Sequence, residues 1–186
     1  MADLFLALIH YPVVDRNGQV VASAVTSLDL HDIARSARTY GVRAFYMVHP
    51  VAAQREFALT VLDHWRLDPG RLYDSRRREA LELVEITNDL DEAIQAAATL
   101  AGARPQLVYT SARAEDGISY ADLRARREQP DGPPLMLLFG TGFGLAPPVR
   151  ERADLVLAPI LGPDAFNHLS VRAAASIILD RLCGQR

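Results

Sequence analysis

Residues 135–139, Leu-Met-Leu-Leu-Phe, constrain the fold of this chain more than any other segment. The run is apolar without alternation, so it buries side chains on both faces, as a central strand of a parallel sheet does under helices on either side. Shorter apolar runs recur, each followed by a segment with helical features. Residues 4–10 precede an amphipathic stretch that starts at Thr26-Ser27 with Asp29 and stops at Gly41. Residues 44–48 precede a helix over 51–65 closed by Pro69-Gly70, and residues 81–86 precede a helix over 89–101 stopped by Gly102. Residues 106–110 and 154–158 read as further strands, and 119–127 and 167–182 as helices. In the last of these, Ala173, Ala174 and Ala175 permit close packing. This alternation predicts an α/β fold, a mostly parallel sheet with helices on both faces.

With 186 residues, 49% of them apolar, and neither repeat nor linker, a single domain over 1–186 is expected. A formal net charge of -3 excludes a generally polyanion-binding composition. The basic residues are nonetheless all Arg, planar forks suited to phosphate, and Arg76, Arg77, Arg78 and Arg124, Arg126, Arg127 form clusters. The single cysteine, Cys183, rules out an internal disulfide and a cysteine-based zinc site, which fits a reducing, cytoplasmic setting. The apolar start carries Asp3 where a signal peptide has basic residues, and no apolar run reaches the ~20 residues of a membrane span.

Three loops that follow late strands carry the candidate chemistry: Thr110-Ser111-Ala112-Arg113, Gly140-Thr141-Gly142-Phe143-Gly144-Leu145, and Pro159-Ile160-Leu161-Gly162-Pro163. In a parallel sheet all three emerge at the carboxyl edge, where ligands of open α/β folds bind. Glycine there lets backbone N–H and C=O groups approach a ligand closely. The middle loop departs from the dinucleotide pattern G-x-G-x-x-G, and a chain without Lys holds no phosphate-binding P-loop.

These segments resemble a known family. Residues 30–42 (with Ile33-x-Arg35-x-Ala37 and then Tyr40-Gly41-Val42), 138–145 and 167–174 are similar to motifs of the knotted RNA methyltransferases. The nearest likeness is to the bacterial SAM-dependent RNA methyltransferases that are compared with the tRNA guanine-N1 enzymes. The resemblance implies a C-terminal trefoil knot, S-adenosylmethionine as cofactor, an RNA acceptor (tRNA or rRNA) and a homodimer whose two subunits build each site. It implies a cofactor site of Thr110, Ser111, Ala112, Phe139, Gly140, Thr141, Gly142, Pro159, Ile160, Leu161, Gly162, Asn167, His168, Leu169 and Ser170. Arg35 inherits the catalytic suspicion of the family's motif arginine, while Asp29 stands where the family has asparagine. The middle glycine loop lacks the glutamate of ribose-methylating members, which removes support for a 2′-hydroxyl target. His168 and His10 are candidates for proton transfer, and Asp164 is an acid beside the site. Two other readings compete: a knotted RNA- or ribosome-binding protein without catalysis, and an enzyme of an ordinary open sheet using another nucleotide.

Overall fold

The computed structural model describes residues 1–67 and 75–185, so the expected Pro69-Gly70 helix stop lies outside the described residues. The elements run β1 (Leu4–Ile9), β2 (Val13–Val14), β3 (Val20–Val21), α1 (Ser27–Thr39), β4 (Ala44–Val48) and α2 (Ala52–Arg66). After the gap come α3 (Ser75–Leu81), β5 (Val84–Thr87), α4 (Leu90–Ala101), β6 (Gln106–Tyr109) and α5 (Tyr120–Glu128). The last are β7 (Leu135–Gly140), α6 (Pro147–Glu151), β8 (Leu155–Val156) and α7 (Val171–Cys183).

Six strands form one parallel sheet in the order β5-β4-β1-β7-β6-β8. β1 and β7 lie side by side at its centre, with Leu8 opposite Phe139 and Ile9 opposite Gly140. The unbroken apolar runs of these strands match that place, because alternate residues enter cores on opposite faces. Leu4, Leu6 and Leu8 pack with α1, α2, α3, α5 and α7 on one side. Phe5, Ala7 and Ile9 pack with α4 and α6 on the other. Every β1 side chain is at most 1% exposed, and full burial of one such Leu or Phe contributes roughly 1.5–3 kcal/mol.

Local signals set the helix ends. The Thr26 hydroxyl accepts from the Asp29 N–H at 3.2 Å and donates to the Asp29 carboxylate at 2.7 Å, which caps α1. Asp89 caps α4 through the Glu92 N–H, and Gly102 ends it at φ +75°, the left-handed conformation glycine adopts without strain.

Several features differ from the sequence expectation, the unexpected short helices α3 and α6 among them. The closing helix begins at Val171 and not at residue 167, because the Ser170 side chain accepts from the Ala173 N–H and caps the helix there. The expected strand over 81–86 is displaced to Val84–Thr87, since Leu81 is the last residue of α3. A small antiparallel hairpin, β2–β3, branches from the end of β1 and was not expected. It is strapped to the loop after β7: Val14 N–H donates to Gly144 C=O at 2.9 Å, and Phe143 N–H to Val14 C=O at 3.1 Å.

Candidate active site

All six sheet strands point the same way, so the loops after β1, β6, β7 and β8 gather at one edge of the sheet. Between them lies a cavity of about 1050 Å³. Of the residues expected at the cofactor, Thr110, Ser111, Ala112, Phe139, Gly140, Thr141, Gly142, Pro159, Ile160, Asn167, His168, Leu169 and Ser170 line it. Leu161 and Gly162 lie outside its wall, and Leu161 is 71% exposed.

Glycine in the middle loop is required by geometry. A Cβ on Gly140 would come within 2.8 Å of the Leu145 backbone nitrogen, and one on Gly142 (φ +61°) would lie 3.3 Å from the Val14 carbonyl oxygen. Gly144 sits at φ +116°, a conformation side chains rarely adopt. Backbone therefore forms this part of the wall. The loops are tied to one another as well: Thr110 donates its hydroxyl to Leu138 C=O at 2.8 Å, and the Asn167 amide donates to Ala112 C=O at 3.1 Å.

Asp29 lies in the wall on the side of α1, buried, with one carboxylate oxygen taking the Thr26 hydroxyl and the other accepting from Arg172 Nη1 at 2.7 Å. Arg172 also approaches the Asp32 carboxylate at 3.5 Å. Arg35 is brought to neither the cavity nor this cluster and projects from the exposed side of α1. His168 is exposed at the mouth, its ring edge-on to Phe166. Asp164 accepts from the Phe166 N–H at 2.9 Å in the same loop and stands outside the wall.

Other wall residues escaped sequence reasoning: Ser23 and Thr26 in the segment after β1, Tyr120 on α5, and Arg172 on α7. Arg172 falls inside the 167–174 stretch that carries the resemblance, so its charge was the available signal. Ser23 follows the hairpin, and only the parallel sense of β1 puts it at the ligand edge.

Ser23 anchors a buried histidine pair. His10, completely buried, places Nδ1 2.9 Å from the Ser23 hydroxyl, and His49 places Nε2 3.0 Å from the Ser23 carbonyl oxygen. The two rings stack with centroids 5.7 Å apart. Burial, followed by the neighbouring His49, pushes His10 down to about 4, against the opposing pull of Asp29. Burial also lowers His49. The Ser23 hydroxyl makes a short contact with the Thr141 hydroxyl, which completes a path from the His10 ring to the cavity wall.

The arginine clusters are largely absorbed by the fold. Arg124 donates to Gly184 C=O at 2.6 Å and pairs with Glu128, Arg127 is 9% exposed, and Arg77 lies over the Trp65 ring at 4.6 Å. No helix among the described residues is long and apolar enough to cross a membrane.

Comparison with known proteins finds relatives in sequence and in fold. The tRNA (guanine-N(1)-)-methyltransferase of Nitratidesulfovibrio vulgaris Hildenborough is 44% identical over 182 residues, which cover 98% of this chain and 42% of that protein. The chain thus spans less than half the length of that curated relative. A protein of Aquifex aeolicus VF5 is 40% identical over 181 residues, covering 97% of this chain and 88% of its own length. Among solved structures, the SpoU methyltransferase AviRb from Streptomyces viridochromogenes, in complex with the cofactor AdoMet, matches with a TM-score of 0.58 at 18% identity. That match covers 97% of this chain and 57% of AviRb, and it establishes a common fold. The competing reading of an ordinary open sheet that uses another nucleotide is set aside by these matches, and loss of catalysis finds no support in them. The sequence profile of one family, SAM-dependent RNA methyltransferase, matches residues 3–184, and the chain belongs to that family.

Proposed function

We propose that this chain methylates a nucleotide of tRNA or rRNA, using S-adenosylmethionine held between the loops after β6, β7 and β8. The observation that carries this reading is the cavity of about 1050 Å³ walled by glycine backbone and small polar side chains. Its charged wall residues are Asp29, Arg113 and Arg172, with His168 at the mouth. Such a wall suits a neutral adenosine with a short zwitterionic tail better than a polyphosphate, which calls for a cluster of cations. Thr110, Ser111, Ala112, Phe139, Gly140, Thr141, Gly142, Pro159, Ile160, Asn167, His168, Leu169 and Ser170 are the residues that hold it.

The cofactor supplies a methyl group made electrophilic by its sulfonium. The chain's task would be alignment, the loops after β6, β7 and β8 holding the donor so that its methyl group can pass to the acceptor nitrogen or oxygen. The acceptor loses a proton, and Asp29 and His168 are the cavity residues with the chemistry to receive it. Arg35, exposed on α1, is suited to grip a backbone phosphate.

The family resemblance also supports one domain over 1–186, a C-terminal knot in which α7 locks behind the cavity, a cytoplasmic setting and a homodimer. Exposed apolar side chains around the mouth, Phe143, Leu161, Phe166 and Leu169, support the last of these. The proposal is tested by calorimetric titration with S-adenosylhomocysteine, for which saturable one-to-one binding is expected. Incubation with methyl-labelled S-adenosylmethionine and RNA from a deletion strain is expected to label one nucleoside. Binding without any label in tRNA or rRNA points to the catalytically silent RNA-binding alternative.

A further inference from the structure

His10 is completely buried, yet its Nε2 has no hydrogen-bond partner among the described residues. Its Nδ1 lies 2.9 Å from the Ser23 hydroxyl oxygen. A buried N–H left without an acceptor costs more than a buried lone pair left without a donor. The ring is neutral near neutral pH, since burial and then His49 lower it to about 4 despite Asp29. The favoured tautomer therefore carries its hydrogen on Nδ1 and donates it to Ser23.

His49 holds Ser23 in position for this. The Val51 N–H donates to His49 Nδ1 at 3.0 Å, so the His49 hydrogen sits on Nε2 and is donated to the Ser23 carbonyl. The Ser23 N–H in turn donates to His10 C=O at 2.9 Å. With its oxygen already accepting from His10, the Ser23 hydroxyl has two acceptors in reach of its own hydrogen, the His10 carbonyl oxygen at 3.5 Å and the much closer Thr141 hydroxyl oxygen, and the closer one takes it. Thr141 then has one hydrogen left, and its side chain lines the cavity.

We infer that His10 is a positioning residue: through Ser23 it makes the Thr141 hydroxyl a committed hydrogen-bond donor to an acceptor atom of the bound ligand. Groups of the adenosyl ligand that qualify are a ring nitrogen, a hydroxyl oxygen or the carboxylate of its amino-acid tail, whereas an amino or ammonium group at that position is repelled. The chain of donors runs one way and reads ligand polarity without any charged side chain. This inference rests on the proposed methyl-donor site.

Two measurements on the full chain test it. In the first, nitrogen-15 NMR of histidine-labelled protein at pH 7.5 identifies the His10 tautomer, with His10→Asn supplying the assignment by loss of its signals. A hydrogen on Nδ1 is expected, and one on Nε2, or a protonated ring, overturns the inference. In the second, S-adenosylhomocysteine is titrated calorimetrically into wild-type, Thr141→Val, Thr141→Ser, His10→Asn and His10→Gln proteins. The amide nitrogen of Asn reaches the place of Nδ1 and that of Gln the place of Nε2. Thr141→Val and His10→Gln are expected to weaken binding about fivefold or more, while Thr141→Ser recovers most of what Thr141→Val loses and His10→Asn stays within about twofold of wild type. Equal affinity of wild-type and Thr141→Val overturns the inference and leaves the proposed function standing. Absence of binding by the wild-type protein overturns both.

Discussion

Asp29 joins two kinds of work in one carboxylate, capping α1 through Thr26 and neutralising Arg172 at the cavity wall. Replacing Asp29 by Ala leaves Arg172 with only the more distant Asp32 and takes the acceptor from the Thr26 hydroxyl, so chemical denaturation is expected to give a loss of about 2–3 kcal/mol. That is at or below the ~3–5 kcal/mol of a broken buried pair, because Arg172 keeps part of its side chain in water. His10 acts in the opposite sense. Its folded pKa of about 4 lies below the ordinary 6.5, so the unfolded chain takes up a proton that the folded chain refuses. Stability is complete above pH about 6.5 and falls as the pH drops toward 4, by up to about 3 kcal/mol from this residue. Urea midpoints for wild-type and His10→Asn across that window check the sign, since the variant lacks this part of the slope. At this scale the sequence was legible where a residue type announces its place, as with Asp29 in the first turn of α1 and the glycines of the middle loop. It was silent on Ser23, because a lone serine in a polar segment carries no periodic signal and acquires its place from the sheet's direction.

Helix α7 connects core and cavity along one element. Ala175, Ile178, Leu179 and Leu182 enter the core, while Val171, Arg172, Ala174 and Ile178 meet the cavity. The Ser36 and Ser176 hydroxyls, 2.7 Å apart, and the Tyr40 hydroxyl donating to Asp180 at 3.0 Å fasten it to α1. The two faces predict separable defects. Ala175→Leu overfills a completely buried position and is expected to lower stability by about 1–3 kcal/mol in thermal unfolding. Ala174→Phe is expected to abolish S-adenosylhomocysteine binding in calorimetry while the circular dichroism spectrum stays that of the wild type. The long strands and helices were readable because apolar spacing declares them over many residues. The two-residue strands of the hairpin and the five-residue α6 are too short to leave a period. The start of α7 was misread because 167–170 continues the polar-apolar rhythm of a helix, and only the Ser170 cap decides its first turn.

Taken whole, the parallel order β5-β4-β1-β7-β6-β8 was foreshadowed by strand-helix alternation, but the sequence pattern left open which strands lie next to one another. The apolar mouth residues set a prediction for assembly: light scattering at micromolar concentration is expected to report twice the 20.5 kDa chain mass. The double variant Leu161→Asp, Phe166→Asp, at positions 71% and 75% exposed, is expected to return it to one chain. A wild-type mass of a single chain contradicts the dimer. The cavity wall draws on residues from Ser23 to Ile178, with Asp29 of α1 bonded to Arg172 of α7. During synthesis no partial chain on the ribosome therefore owns a finished pocket. On the proposed reading, methyl-donor affinity is expected only once α7 has left the exit tunnel and docked, and ligand capture by stalled nascent chains of increasing length checks this.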